Sequence, residues 1–249
     1  DNVVAEIDRD LAKATITISA PTEAPPSDPA AIQAQGVAFW PLALARELDD
    51  AVMELRCNEQ EIGTWVFRTI GDADLVEAAD KALLDNQDDW LVREITLYLK
   101  RSLKRIDVSA RSLIALIEPG SCFAGTLLDI ALVCDRGYML DGIFEGSNLP
   151  AATVRLTGMN FGPLTMSNGL TRLEHRFLGE PEKVSEARQK IGEDLEAEDA
   201  DIAGLVTFIP DDIDWEDEVR IAIEERASYS PDALTGMEAS LRFAGPETM

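Results

Sequence analysis

The chain has 249 residues, of which 46% are hydrophobic, so it can bury a full core in one large α/β domain or in two small ones. Its 47 Asp and Glu residues outnumber 22 Lys and Arg residues, and the formal net charge of -25 argues against nucleic acid and anionic membrane surfaces as partners. Every apolar run is shorter than the roughly 20 residues of a membrane-spanning helix, and the first residues lack the pattern of a signal peptide, so we expect a cytoplasmic protein.

The cysteine content favours reduced thiols over a disulfide framework. Cys57, Cys122 and Cys134 are too few and too scattered for such a framework or for a CxxC metal site, and the single histidine argues against a zinc cluster. The chain also begins at Asp1 and ends at Met249 without an obvious stop signal. We therefore expect a piece of a longer protein.

The first 70 residues predict a hairpin, a loop, a helix and a strand. Residues 3–7 and 14–18 are apolar or alternating on either side of a polar turn, which is typical of a β-hairpin. The segment 21–36 begins with a run rich in Pro, Ala and Ser and is predicted as a loop. Apolar residues then recur three and four positions apart through 39–55, which predicts an amphipathic helix before a strand at Thr64–Ile70.

Two helices are predicted between residues 71 and 105. Residues 71–74 form a turn or a helix cap, and a first helix follows at 75–84. Asp88 and Asp89 are natural N-caps for a longer helix whose apolar residues lie four apart on one face. The last turns of that helix carry the cations Lys100, Arg101, Lys104 and Arg105. Compensation of the helix dipole is the simpler interpretation of these cations, and a phosphate site is the alternative.

The stretch 111–140 gives the clearest prediction of secondary structure in the chain: a strand, a tight loop, a helix and a second strand. Ser112–Ile117 predicts a buried parallel strand that Pro119 and Gly120 end. Small residues at 124–126 lead into a helix N-terminus, whose unpaired N–H groups suit an anion or an oxygen that becomes negative during a reaction. Thr126 and Asp129 also fit a capping box, in which both side chains only satisfy the helix end.

The last hundred residues predict short elements around an acidic segment. A strand is predicted at 154–156, a loop at 158–163, and a helix capped by Ser167 and Asn168 that contains His175, read as a surface or packing residue. Residues 191–219 hold twelve Asp and Glu residues and no Lys or Arg, and the strand-like run 205–209 inside them indicates a folded acidic surface. Helices at 219–227 and from Ser230 toward residue 241 complete the chain.

The order of these elements resembles the crotonase superfamily, the enoyl-CoA hydratase/isomerase fold. The similarity is carried by IALIEPGSCFAGTLLDIALVCDRGYML, by GIFEG at 142–146, by LTGMNFGPLTMSNGLTRLEHRF at 156–177 and by LRFAGPETM at the end. These motifs are most similar to the C-terminal half of a double-length bacterial member. The resemblance implies an α/β crotonase-like (ClpP/crotonase) spiral of ββα units with helices around the sheets, as a single domain over 1–249. It also implies an acyl-CoA thioester substrate, no separate cofactor, and a homo-oligomer in the full-length protein.

The resemblance further implies roles for individual residues. The second donor of an oxyanion hole is the backbone N–H of Gly125 or Thr126, and Asp129 stands where hydratases keep their first catalytic glutamate. The position of the second glutamate falls at 158–160, which contains no acid, and 68–72 stands roughly where the first oxyanion donor is expected. Further candidate groups that line or act in the site are Glu118, Cys122 and Asn160. Glu118 and Cys122 fit buried positions at a strand end and in a loop equally well.

Three functions are compatible with these expectations. The first is part of a ring-opening lyase or hydrolase that converts an epoxidised or dihydroxylated benzoyl-CoA thioester to an open-chain semialdehyde CoA ester and formate. The alternative is a non-catalytic crotonase-like half that mediates contacts within the chain or between subunits. A further alternative is an ordinary enoyl-CoA hydratase/isomerase, and the missing acid at 158–160 counts against it.

Overall fold

The computed structural model describes residues 1–243, and residues 244–249, which include most of the motif LRFAGPETM, lie outside the described part. The strands are β1 Val3–Asp8, β2 Lys13–Ser19, β3 Thr64–Ile70, β4 Ser112–Ile117, β5 Phe123–Ala124, β6 Arg136–Met139, β7 Val154–Arg155 and β8 Asp194–Leu195. The helices are α1 Pro29–Gln35, α2 Trp40–Cys57, α3 Ala73–Asp85, α4 Trp90–Asp107, α5 Gly125–Val133, α6 Arg172–Arg176, α7 Pro181–Gln189, α8 Ala197–Ile202, α9 Trp215–Ala227 and α10 Pro231–Arg242. Short 3-10 helices lie at Gly36–Ala38 and Gly158–Phe161.

The main sheet has five strands in the order β1-β2-β3-β4-β6. β1 and β2 pair antiparallel as the predicted hairpin, whereas β2, β3, β4 and β6 pair parallel. Parallel neighbours need a crossover, and α2, the pair α3 and α4, and α5 supply the three crossovers in turn. The strands therefore end at one edge, where the Gly71 N–H donates to the Gly120 carbonyl at 3.2 Å. A second sheet has the order β5-β7-β8.

The hydrophobic core lies on both faces of the main sheet. On one face, side chains of β3 and β4 pack with α2, α4 and α5 in a single large cluster. On the other face, Val66, Ile114 and Leu116 pack against Trp215 and Ile223 of α9. All nine residues of α5 are buried, because this helix is hydrophobic all round and lies inside the molecule.

Most of the predicted elements are confirmed. β3 and β4 have the predicted limits, and α2 and α3 agree with their predictions to within two or three residues. Asp89 caps α4 by accepting the N–H groups of Leu91 and Val92 at 2.9 and 3.1 Å. Ser230 caps α10 by accepting the Ala233 N–H at 3.2 Å.

Four details of the prediction are wrong. The segment 21–36 contains α1, because Asp28 accepts the Ala31 N–H at 3.0 Å and Pro29 occupies the first turn, where a proline costs no hydrogen bond. The segment 158–163 is not a simple loop, because it contains the 3-10 helix Gly158–Phe161. The run 205–209 forms no strand and makes an isolated bridge between Phe208 and Tyr138.

The fourth wrong detail is the start of α6. This helix begins at Arg172, because Thr171 and Glu174 form a capping box there. Asn168 instead closes a turn by accepting the Leu170 N–H at 3.0 Å. Within residues 1–243, no helix has both the length and the apolar character needed to cross a membrane.

Candidate functional site

The N-terminus of α5 is built around a glycine that has no room for a side chain. Gly125 is the first residue of α5 and has a φ of 43°, a left-handed conformation that strains any residue with a side chain. A Cβ atom added to Gly125 would lie 1.7 Å from Asp80 Oδ2 and 2.4 Å from Thr157 Oγ1. The backbone at residue 125 therefore approaches these two side chains as closely as sterics allow.

Asp80 of α3 occupies the end of α5. Its Oδ2 accepts the Thr126 N–H at 2.9 Å and the Thr157 hydroxyl at 2.8 Å, and its Oδ1 accepts the Thr126 hydroxyl at 2.5 Å. The carboxyl group is buried, and this burial raises the pKa of Asp80 to about 6, although the hydrogen bonds from Thr126 and Thr157 oppose the rise. The sequence analysis did not single out Asp80. Its signal is an acid on the apolar face of α3, one turn from Val76 and Leu83.

These contacts exclude the predicted capping box. The Thr126 hydroxyl donates to Asp80, and Asp129 accepts from Asn160, so neither side chain caps α5. Ala124, the N-cap residue, makes no side-chain hydrogen bond. The helix end is satisfied by a residue 46 positions earlier in the chain, which a local pattern cannot reveal.

Asp129 lies one turn further into α5 and is 1% exposed. Its Oδ1 accepts the Asn160 Nδ2–H at 2.9 Å, and its Oδ2 lies 3.6 Å from Arg172 Nη1. Burial raises the pKa of Asp129 to about 7, against the opposing effect of the Arg172 guanidinium. Arg172 Nη2 also donates to both carboxylate oxygens of Asp107, each at 2.9 Å. One guanidinium therefore serves two buried carboxyl groups and lies closer to Asp107 than to Asp129.

Asn160 connects the two parts of this region. Its Nδ2 donates to the Gly125 carbonyl at 2.8 Å and to Asp129, and its Oδ1 accepts the Thr157 N–H at 2.9 Å. These partners fix the orientation of the amide. The structure thus brings four of the predicted site residues together, along with groups that the sequence analysis missed. We call the whole set the buried polar cluster: Asp80, Asp107, Gly125, Thr126, Asp129, Thr157, Asn160 and Arg172.

Cys122 and Glu118 lie outside the buried polar cluster. The Cys122 N–H donates to Thr69 Oγ1 at 2.8 Å, and burial raises the pKa of the Cys122 thiol to about 11, so the thiol is neutral at physiological pH. Glu118 follows β4, pairs with Arg68, and accepts the Trp215 Nε1–H at 3.2 Å. It lines a cavity of about 450 Å³ whose apolar residues come largely from α9, beside Leu116 of β4 and Phe144, and whose lining also carries Lys13 and Arg220.

The segment after β3, where the first oxyanion donor is expected, is also engaged internally. The Gly71 N–H donates to Gly120, and the Ile70 carbonyl accepts the Ala20 N–H at 2.9 Å. A cavity of about 430 Å³ adjoins Ala20, and its lining includes Asp1 and Glu23 but no Lys or Arg. Such a cavity offers no cation for the phosphates of an acyl-CoA.

The polar side chains at the N-terminus of α5 are buried and hydrogen-bonded within the protein, which leaves them inaccessible to a substrate. The side chains of Asp80, Thr126 and Asp129 are each at most 2% exposed, so they do not reach the surface. An N–H that already donates to a carboxylate cannot also stabilise an enolate oxygen, which would add a second negative charge beside the first. Among residues 1–243, no group of three or more His, Cys, Asp or Glu residues is arranged to hold a metal ion.

Comparison with known proteins identifies a relative and a fold. No family model matches the chain. It is 53% identical over 247 residues to the benzoyl-CoA-dihydrodiol lyase of Aromatoleum evansii, an alignment that covers 99% of this chain and 44% of that protein. The chain therefore spans less than half the length of this curated relative.

Solved structures of enoyl-CoA hydratases and isomerases share the fold at low identity. An enoyl-CoA hydratase/isomerase from Marinobacter aquaeolei superimposes with a TM-score of 0.63 and 18% identity, over 100% of this chain and 85% of the other. The enoyl-CoA hydratase from Bacillus anthracis gives a TM-score of 0.62 and 17% identity, over 97% of this chain and 83% of the other. The resemblance in the sequence is thus confirmed: the chain has the crotonase fold and is a sequence relative of part of a benzoyl-CoA-dihydrodiol lyase.

Proposed function

We propose that this chain is one section of a benzoyl-CoA-dihydrodiol lyase and that it serves there as a structural half with the crotonase fold. The 53% identity to the lyase of Aromatoleum evansii supports the first part of the proposal. The second part rests on one observation: the Asp80 carboxylate accepts both the N–H and the hydroxyl of Thr126 at the end of α5. The resemblance implies an oxyanion donor at Gly125 or Thr126, and this contact engages the second of the two.

An occupied donor makes this end of α5 a poor catalyst. Loss of one oxyanion donor typically costs about 2.7–4 kcal/mol of transition-state stabilisation, or about 10²–10³ in kcat. At Thr126 the donor is not only engaged but engaged by a carboxyl group, whose negative charge opposes a developing enolate. The buried polar cluster therefore supports packing of α3, α5 and the segment around Thr157 and gives no support to enolate chemistry.

The raised pKa of Asp129 is the observation that favours a catalytic role for this section. A pKa of about 7 suits a general acid or base, and perturbed carboxyl groups are common at active sites. Yet a general base must lie within hydrogen-bond reach of its substrate, and the partners of Asp129 are Asn160 and Arg172. The geometry supports a structural reading of the raised pKa, in which burial is the largest cause and the charges of Asp80 and Asp107 add to it.

The proposal assigns the chemistry to the rest of the longer protein. There, ring opening of an epoxidised or dihydroxylated benzoyl-CoA thioester would give the semialdehyde CoA ester and formate. CoA enters as part of the substrate, and the proposal needs no separate cofactor. An ordinary enoyl-CoA hydratase is less well supported, because the 3-10 helix Gly158–Phe161 carries no acid.

The number of substrate sites tests the proposal. Calorimetric titration of the full-length protein with benzoyl-CoA, the unreactive parent thioester, is expected to give one site per polypeptide. Two equivalent sites per polypeptide would contradict the structural role of this section, and no saturable binding would contradict the assignment as a lyase section.

A further inference from the structure

The cavity beside Glu118 lies between α9 and the main sheet, and the proposed function does not use it. Its volume of about 450 Å³ falls within the range of small-molecule sites, which is about 300–1,000 Å³. Its apolar residues come from the turn before β2, from β4, from the segment before β7 and from α9: Leu11, Leu116, Phe144, Trp215, Val219 and Ile223. We call this cavity the α9 groove.

The α9 groove is elongated. Lys13, at the start of β2, is in register with Thr64 and, through it, with Ser112 at the start of β4. Leu116 lies four residues further along β4, which is roughly 13 Å at the rise of a parallel strand. On the helix side, lining residues recur three and four positions apart through 216–224, so one side of α9 forms that wall over about two turns. A ligand that fills the groove must therefore be long.

Lys13 is a cation without a partner at one end of the α9 groove. Among the other charged residues that line it, Glu118 pairs with Arg68. Arg220 pairs with Glu224 in the same way. In residues 1–243, by contrast, no ion pair involves Lys13. A negatively charged group is the ligand chemistry that this lysine lacks.

Two further observations favour an anion at the Lys13 end. Glu216, a lining acid, lies beside Trp215 in the first turn of α9, where the helix dipole favours a carboxylate. Thr64, the neighbour of Lys13 in register, has a fully buried hydroxyl that makes no hydrogen bond within the described residues. A ligand oxygen at this end therefore meets a cation with a second donor nearby.

Trp215 fixes the opposite, apolar end of the α9 groove. Its Nε1–H donates to Glu118 at 3.2 Å, and the Phe144 ring meets the Trp215 ring edge-on with the centroids 6.1 Å apart. Trp215 is 4% exposed, so these contacts hold its ring in one position. This end offers a rigid apolar wall to the tail of a ligand.

We propose that the α9 groove binds an amphipathic monocarboxylate, with its carboxylate at Lys13 and its apolar chain along α9 toward Trp215. Burial of the chain supplies most of the affinity, and the partly exposed lysine orients the ligand. The groove lies on the face of the main sheet that packs against α9, whereas the buried polar cluster lies on the side of α5. The inference does not depend on which section of the longer protein is catalytic.

Calorimetric titration of the full-length protein with octanoate tests the proposal. Octylammonium and octanol are the matched probes, because they carry the same chain with a positive and an uncharged end. We expect saturable binding of octanoate, with a dissociation constant at least about fivefold lower than that of either probe. Lys13→Met keeps the length of the side chain and is expected to raise the dissociation constant of octanoate at least about fivefold. Lys81→Met is the control, because Lys81 lies on α3 and pairs with Asp85, and it should change nothing.

Leu11→Asp tests the apolar part of the groove. Leu11 is 40% exposed, so the substitution is expected to leave the fold intact and to abolish octanoate binding by placing a carboxylate beside the ligand. Circular dichroism melting checks the fold of each variant. If Leu11→Asp lowers the melting temperature, Lys13→Met alone decides.

Three results would overturn the proposal. The first is a full-length protein without saturable octanoate binding, as when the remainder of the polypeptide fills the groove. The second is octanoate binding that Lys13→Met leaves unchanged, which would place the site elsewhere in the protein. The third is equal affinity for octanoate and octylammonium, which would mean that no cation selects the ligand.

Discussion

The end of α5 and the end of β4 both carry residues expected at a catalytic site, but the structure treats them differently. At α5, Asp80, Asp129 and Arg172 are at most 2% exposed, and each has a buried partner: Asp80 accepts from Thr126, and Asp129 pairs with Arg172. At β4, Glu118 pairs with a half-exposed Arg68 and lines a cavity. Removing one partner of a buried polar group costs much free energy, because the other partner is left without a hydrogen bond. At a cavity wall water can replace the lost partner, so the cost is small. The contrast predicts a graded series of mutational effects.

The largest expected effect is that of Arg172→Leu. This substitution leaves the carboxyl groups of Asp107 and Asp129 buried without their shared cation, and removal of one partner of a buried ion pair costs about 3–5 kcal/mol. We expect the free energy of unfolding in urea to fall by that amount. Arg220→Leu is the matched control, because Arg220 makes exposed ion pairs with Asp217 and Glu224 that are worth about 0–1 kcal/mol. Equal losses in the two variants would remove the distinction between the regions.

Gly125→Ala is expected to have the second largest effect, a fall of about 3 kcal/mol in the free energy of unfolding. The added Cβ would overlap Asp80 and Thr157, so the Asp80 carboxyl group must leave its hydrogen bonds to Thr126. Gly236 in α10 provides the control, because nothing lies within 4 Å of a Cβ added there. Gly236→Ala should raise the free energy of unfolding by about 0.5–1 kcal/mol, since alanine favours the helix. A tolerated alanine at 125 would mean that the Asp80 contact is loose.

The third effect depends on pH. The folded-state pKa values of Asp129, about 7, and Asp80, about 6, lie above the unfolded value of about 3.9. The folded state therefore binds more protons than the unfolded state in this range. The stability that these groups contribute is complete below about pH 4 and is lost as the pH rises to about 7, at a slope of at most about 1.4 kcal/mol per pH unit for one group.

Urea unfolding at a series of pH values measures this slope. Asp129→Asn cannot ionise at position 129, so the variant should lose part of the slope up to about pH 7 and gain stability relative to the wild type as the pH rises. Asp80→Asn should change the slope only up to about pH 6. Parallel curves for the wild type and Asp129→Asn would show that the carboxyl group at 129 is not the one that holds the extra proton.

The sequence predicted the elements of this fold far better than their polar contacts. β4 and α4 carry local signals, an uninterrupted apolar run and an Asp cap before a four-residue apolar repeat, and both elements are confirmed. The cap of α5 was missed because Asp80 lies 46 residues from Thr126. Arg172 and Asp107 are 65 residues apart, and nothing in either neighbourhood marks them as partners. Side chains that meet only after folding leave no periodic trace in the chain.

Glu118→Gln tests the exposed side of the comparison and is expected to have a small effect. Glu118 and Arg68 form a partly exposed ion pair, and such pairs contribute about 0–1 kcal/mol. The glutamine can still accept the Trp215 Nε1–H, so the loss in urea unfolding should stay below about 1 kcal/mol. A loss as large as that of Arg172→Leu would mean that the cavity wall depends on this pair.

The smallest expected effect is on catalysis by the full-length protein. If the section is structural, Asp129→Asn should change kcat for ring opening by less than about threefold, which corresponds to a change of about 0.65 kcal/mol in the activation free energy. A general acid or base contributes about 10²–10⁴-fold, so the two roles of Asp129 differ by an easily measured margin. Stability must be measured beside kcat, because an enzyme that unfolds loses activity for a reason unrelated to chemistry. A loss of about 100-fold in a variant whose melting temperature is unchanged would make Asp129 part of the catalytic machinery. Asp129 would then have to become accessible when substrate binds, because it is 1% exposed and its partners are Asn160 and Arg172.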